Sequence, residues 1–243
     1  MEDFLPACAA SALFDGVPPS EIRALLGCLS ARAQRYERGT FLFMRGDAPK
    51  GVGLVLEGRV HVAEEDVMGN RSILAEVGPS ELVAEAFACA GIARLPVDAV
   101  AAADCRVLWL DGGQLWGPSP SCGAQGSRCG TTPTCAFHSR LVANLMRILA
   151  VKNIALHEKL RIMGKRTTRD KLLRYLSARA RDAGSAEFEI PFNRQELADY
   201  LGVDRSALST ELGKLRDGGL LRFERNRFEL LAARSADRDR RAP

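Results

Sequence analysis

Apolar and polar positions change their period along this chain, and each change predicts a different element. Between residues 33 and 110, short β-rich runs alternate with glycine turns. The runs are 40–44, 53–56, 59–63, 72–77, 97–101 and 106–110, broken at Arg45-Gly46-Asp47, Glu57-Gly58, Met68-Gly69-Asn70 and Gly78-Pro79. Strands of this length and spacing predict a β-barrel or roll. Residues 82–90 predict one helical turn inside it, and 18–30 an amphipathic helix capped at or near Ser20. From residue 136 to 163 the period becomes helical. Val142, Leu145, Leu149, Leu156 and Met163 form an apolar seam near heptad spacing, widened by Leu141 and Ile148 and interrupted by Lys152. Such a seam either packs on its own barrel or meets a second copy. The length of the helix, more than a domain of this size can cover, favours the dimer. Residues 164–167 read as a hinge, 168–183 as a further helix, and 186–192 as a strand or hairpin.

The segment 193–231 carries the most specific pattern. Asn193 is a good helix N-cap, with Glu196 placed as its capping-box partner. Leu197, Ala198 and Leu201 give the helix one apolar stripe, and Gly202 ends it where a tight turn needs positive φ. Asp204 caps a second helix whose apolar positions are Ala207, Leu208, Leu212 and Leu215, ended by Gly218-Gly219. Two short strands follow, 220–224 and 227–231, around an Arg225-Asn226 turn. Helix, glycine turn, helix and hairpin predict a winged helix-turn-helix.

The polar face of the second helix has matching chemistry. Asp204, Arg205, Ser206, Ser209 and Thr210 lie near its N-terminus, the end that meets base edges in a major groove. Arg205 can donate two hydrogen bonds to guanine, and serine or threonine can serve several bases. Arg194, Lys214, Arg222, Arg225 and Arg227 are candidate phosphate contacts, with Asn193 and Gln195 at the start of the first helix beside them.

Composition narrows the class further. The chain has 243 residues, enough for two domains, and a net charge of +4, too small for a polycation. Basic residues concentrate after Lys159, so one half is expected to face nucleic acid. No apolar run reaches membrane-span length, and Glu2-Asp3 replaces a basic leader, so a cytoplasmic protein is expected. Seven cysteines without an export signal are expected to be reduced thiols. Cys122, Cys129 and Cys135 lie in a long Gly/Pro/Ser/Thr-rich loop at spacings of seven and six. They are weak candidates for a metal, an iron–sulfur cluster, haem or a redox switch, with His138 and His157 as conceivable extra ligands. Cys89 and Cys105 sit in apolar contexts and read as core residues. No nucleophile–base pair or phosphate-binding glycine loop is present, so catalysis is not expected.

With these residues in place, the chain resembles the cyclic-AMP receptor protein / fumarate-nitrate reductase regulator (Crp/Fnr) family over nearly its whole length. The carriers are Gly46, Gly58, Gly78 and Glu85 in the β region, the 136–163 helix, and the Arg-Gln-Glu-Leu-Ala-Asp-Tyr-Leu-Gly run at 194–202. The resemblance implies an α+β protein in three parts. Residues 1–135 would form a double-stranded β-helix (jelly-roll) sensor like a cyclic-nucleotide-binding domain. Residues 136–163 would form a dimerisation helix, and 164–243 the winged helix-turn-helix. It also implies an effector-gated homodimer that binds an inverted repeat in double-stranded DNA and touches RNA polymerase.

Departures bear on the effector. Cyclic-AMP binders of the family carry Gly-Glu, then Arg-Ser after nine intervening residues; here Ala84-Glu85 is followed, after the nine residues 86–94, by Leu95-Pro96. Leucine has no charge and proline no N–H, so a cyclic phosphate would lose its hydration without a cation in return. Glu85, Cys89, Leu95 and Pro96 are the candidate effector pocket; the small molecule itself is unassigned, and these residues argue against cyclic AMP. At the DNA face, Arg205 stands where the cyclic-AMP receptor has a guanine-reading arginine, whereas Ser206 and Thr210 replace its Glu and second Arg, so a different operator is implied. Two other readings are a regulatory module acting on a protein partner, and a redox or metal sensor working through the loop cysteines.

Overall fold

The computed structural model describes residues 4–116 and 136–231. By internal contacts the chain divides into two compact units, one of residues up to Gly69 with Leu74–Ile154, the other of Asn70–Ile73 with the residues from Ala155 onward.

The first unit begins with α1 (Leu5–Ala10), a 3-10 turn at Ala12–Phe14, and α2 (Pro19–Cys28). The N-cap of α2 is Pro18, with proline at the first helical position, so Ser20 lies inside the helix instead of capping it. Two four-stranded sheets follow. One has the order β1-β8-β3-β6, from Arg32–Tyr36, Cys105–Leu110, Val52–Glu57 and Leu82–Val83; the other has β2-β7-β4-β5, from Phe41–Phe43, Asp98–Ala101, Val60–Glu65 and Arg71–Val77. The expected strands are all present. Two more, β1 and β6, go beyond the expectation, and the helical turn near residue 85 is α3 (Glu85–Cys89).

The central strand β3 is buried on both faces, which explains its unbroken apolar run. Val52, Leu54 and Leu56 pack with α1, α2 and the long helix, while Val55 joins the sandwich interior with Leu42, Phe43, Val83 and Trp109. Inside the sandwich the indole N–H of Trp109 donates to the Tyr36 hydroxyl at 2.9 Å, which satisfies a donor that would otherwise be costly to bury. After α4 (Gly112–Trp116), α5 (Ala136–Met163) is one continuous helix.

Part of the α5 seam packs on its own unit. Leu141 and Leu145 are buried in the core of the first unit, and Ile148 and Leu149 pack against it. Asn144 Nδ2 donates to the carbonyls of Leu13 and Asp15, each at 2.9 Å, which ties this side of the helix to the N-terminal segment. A second stripe of α5 stays exposed: Met146, Ile154, Leu156 and Leu160 are each more than half accessible.

The second unit packs α6 (Thr168–Ala183), β9 (Glu187–Glu189), α7 (Arg194–Leu201), α8 (Arg205–Asp217), β10 (Leu221–Glu224) and β11 (Arg227–Leu230) around one core. Thr167 caps α6 through its hydroxyl, and Gly184 ends it in the left-handed region. The strands form a three-stranded antiparallel sheet, β10-β11-β9.

Candidate nucleic-acid interface and sensor site

The α7–α8 pair is built by its end residues. Asn193 Oδ1 accepts from the Glu196 amide at 3.0 Å, and Glu196 Oε2 accepts from the Asn193 amide at 2.8 Å, a complete capping box. Gly202, at φ 59°, ends α7. Asp204 Oδ1 then accepts from the amides of Ser206 and Ala207 and from the Ser206 hydroxyl, which caps α8. The Ser206 hydroxyl and these two amides hold the Asp204 carboxyl below its ordinary range, so it stays ionised at the positive end of the helix. Leu208, Leu212 and Leu215 bury one face of α8 against Leu197, Ala198 and Leu201. The opposite face is left to solvent, and Arg205, Ser206, Ser209, Thr210 and Lys214 are all exposed on it.

Behind α8, the β10–β11 hairpin pairs Arg222 with Glu229 and Glu224 with Arg227. Its turn puts Arg225 at φ 51°, the left-handed start that a two-residue hairpin requires. Asn226 Nδ2 donates to the Ile190 carbonyl at 3.1 Å and fixes the wing to the approach of α7.

The basic residues do not all remain available to phosphate. Arg194 is partly buried, with its guanidinium 4.9 and 5.2 Å from the Phe223 and Phe228 ring centroids and Nη2 donating to the Arg225 carbonyl at 2.7 Å. Burial pulls its pKa down. Arg194 therefore pins the wing to α7, a role its position in sequence did not disclose. Lys214 pairs with Glu211 at 2.7 Å and Arg227 with Glu187 at 2.6 Å. Gln195 donates to Asp199 at 2.7 Å along α7. Among the described residues Arg205 and Arg225 have no ion-pair partner, and both are exposed. Exposed guanidinium groups at the start of α8 and the tip of the wing can donate to base edges and phosphates respectively.

The sensor candidates separate in the structure. Glu85 is buried and pairs with Lys152 of α5, Nζ to Oε1 2.7 Å. Lys152, which reads in sequence as a break in the seam, is thus the partner of the buried carboxylate among the candidates. Leu95 belongs to the sandwich core, and Pro96 is exposed. Arg94 donates to the Gly46 carbonyl at 3.1 Å. Cys89 is exposed, contrary to the core position expected of it, because it closes the outer side of the short α3. Cys105 is buried as expected, and burial pushes the thiols of Cys105 and Cys8 up to about 11, so both stay protonated and unreactive at neutral pH. His138 is buried on α5 with its pKa lowered by burial, while His157 is exposed. Cys122, Cys129 and Cys135 fall outside the described residues, and among those described no cluster of His, Cys, Asp or Glu could hold a metal ion.

Ala84, just before Glu85, sits in the left-handed region at φ 67°, ψ 3°. A side chain with a Cβ is strained there by about 1–2 kcal/mol, and glycine is not. Part of that gain is lost to the greater freedom of glycine in the unfolded chain. Ala84→Gly should therefore raise stability by roughly 0.5–1 kcal/mol, seen as a higher denaturation midpoint with an unchanged slope. A lower midpoint would mean that the alanine methyl contributes more to packing than its backbone costs.

Comparison with known proteins agrees with this architecture. The cyclic nucleotide-binding domain family matches residues 33–117, and the Crp-like helix-turn-helix domain family matches 170–234. The nitrogen fixation regulation protein FixK of Azorhizobium caulinodans is 25% identical over 226 residues, covering 90% of this chain and 81% of that protein. The transcriptional activator protein FnrL of Cereibacter sphaeroides is 32% identical over 86 residues, 32% of this chain and 35% of its own. Among solved structures, FixK2 of Bradyrhizobium japonicum aligns with a TM-score of 0.60 at 19% identity, over 82% of this chain and 92% of that one. The c-di-GMP-responsive regulator CLP of Xanthomonas campestris aligns with a TM-score of 0.66 at 19% identity, over 88% and 99% of the two chains. With both domain families matched in order and relatives of this kind along its length, the chain belongs to the Crp/Fnr family of DNA-binding transcription regulators.

Proposed function

We propose that the protein acts as a homodimer whose two α8 helices read an inverted repeat in successive major grooves, in response to an effector other than cyclic AMP. One observation carries this reading. Arg205, Ser206, Ser209 and Thr210 stand exposed together over the first turns of α8, while the other face of that helix is locked into the core. That arrangement presents donors to a groove on a rigid support. Arg205 is the main base reader, with Ser206, Ser209 and Thr210 beside it. Asn193, Gln195 and Asp204 order the helix ends, Arg194 positions the wing, and Lys214 and Arg225 contact the phosphate backbone.

The second copy meets a stripe of α5 that is exposed at Met146, Asn153, Leu156, Leu160 and Met163 and partly buried at Val142 and Leu149. Val142, Met146, Leu149, Asn153, Leu156, Leu160 and Met163 follow one another in steps of four and three, the spacing of a two-stranded seam. Asn153 falls in the middle of that stripe and is exposed. One polar residue at such a position holds two helices in register, because only its own copy offers the matching amide. The protein works by binding and not by catalysis, in the cytoplasm, and its bound dimer contacts RNA polymerase; relatives named as a nitrogen fixation regulation protein and a transcriptional activator support the regulatory part of this reading. No helix among the described residues is long and apolar enough to cross a membrane.

Selection of tight-binding duplexes from a randomised pool tests the proposal. The recovered sequences should share an inverted repeat with half-site centres one helical turn, about 34 Å, apart. Recovery of an unrepeated site, or of no preferred sequence, would overturn it.

A further inference from the structure

A carboxylate as deeply placed as Glu85, 4% exposed, needs a cation or several donors. Here the protein supplies the cation itself. Lys152 Nζ lies 2.7 Å from Glu85 Oε1 and also donates to the Leu82 carbonyl at 2.5 Å. Both acceptors belong to the segment that leads from β6 into α3. The ammonium therefore bridges that segment to α5, which Leu141 and Leu145 hold in the core. Lys152 is about one-third exposed, so it reaches Glu85 along its aliphatic stem from a fixed helix.

The rest of the site offers little to a nucleotide. A ribose hydroxyl approaching Glu85 would have to displace an ammonium that already has two acceptors, and would leave that charge half-buried without them. At the position where a cyclic phosphate would need a cation stands Leu95, which is buried in the sandwich core, and Arg94 is committed to the Gly46 carbonyl.

We propose that Lys152 is the resident partner of Glu85, which closes this sensor site to cyclic nucleotides and clamps α5 to the β6–α3 segment without any added ligand. Lys152 is thus a specificity-determining and positioning residue. The inference rests on the sensor reading of the first unit and not on DNA binding.

Two measurements on the full chain test it. The first is calorimetric titration with cyclic AMP and with cyclic GMP, each up to about 1 mM. Neither should bind the wild-type protein; a micromolar dissociation constant for either would overturn the proposal. The second is amide hydrogen exchange over 82–90 and 148–154. Lys152→Met should raise exchange in both segments by about tenfold or more, and Lys152→Arg should restore protection by returning the charge. If Lys152→Met does not fold, Glu85→Gln removes the other charge at nearly constant volume and should raise exchange in the same two segments. Unchanged exchange in the folded variant, or loss of protection that Lys152→Arg fails to restore, would overturn the clamp. Failure of the wild-type protein to bind any duplex would instead count against the proposed DNA reading, and leaves both of these measurements interpretable.

Discussion

Leu156→Asp combined with Leu160→Asp is expected to turn a dimer into a monomer at micromolar concentration and to weaken binding to a duplex with two half-sites by about 10²–10⁴-fold. The reason is geometric. Leu156 is 55% and Leu160 67% exposed in the single chain, so neither is needed for its own core. A second copy packed along the same stripe would bury both, and the aspartates would bring like charges together in a dry seam. A monomer still has a complete α7–α8 pair and can occupy one half-site. It loses the second half-site, which in the dimer binds at the high effective concentration set by the shared helix. Leu145 would be a poor choice for this experiment although it lies on the expected seam. It is only 4% exposed within its own unit, so an aspartate there would unfold the sensor instead of separating two folded copies. Sedimentation of wild-type and doubly substituted protein decides the matter, with far-ultraviolet circular dichroism confirming that both are folded. A wild-type protein that sediments as a monomer, or a variant that stays dimeric, would sink the proposed seam.

How much of this could be read from the sequence depended on whether the governing contact was local. The α7–α8 pair was legible because its determinants are neighbours: Asn193 with Glu196, Gly202 at the turn, and Asp204 with the two amides after it. Strands β2, β3, β4, β5, β7 and β8 were legible because alternating or continuous apolar runs end at glycine turns. Strand β1 was not, since Arg32, Ala33, Gln34 and Arg35 are exposed and, among the described residues, it is a sheet-edge strand paired with β8 alone. Lys152 and Arg194 show the same limit at the sites. In sequence one is a flaw in an apolar seam and the other a free cation. Their partners, Glu85 for Lys152 and Phe223 and Phe228 for Arg194, are distant along the chain, and only the fold brings them together. Cys89 was misread for a related reason. Apolar neighbours in sequence do not bury a residue on the outer side of a short helix, although Phe87 and Ala88 of the same helix pack inward.

Replacing Arg205 with alanine should cost roughly 1–3 kcal/mol at the cognate site and relax the preference at one base pair in each half-site. Arg205 is the first residue of α8, directly after the Asp204 cap, exposed and without an ion-pair partner among the described residues. Its guanidinium is therefore free to present two parallel donors to O6 and N7 of a guanine, a pattern no other base pair offers in the major groove. Ser206 is more constrained, because its hydroxyl already donates to Asp204 and meets DNA chiefly as an acceptor. Arg225 provides the contrast. It sits exposed in the hairpin turn of the wing, and Arg225→Ala should weaken all sequences about equally while lowering the salt slope by about one. Titrations of both variants against cognate and scrambled duplexes at two salt concentrations separate the two roles. If Arg205→Ala weakens both duplexes equally and the cognate preference survives, Arg205 is a phosphate contact. Sequence would then have to be read by Ser206, Ser209 and Thr210, whose single hydroxyls discriminate bases far less sharply than a guanidinium does.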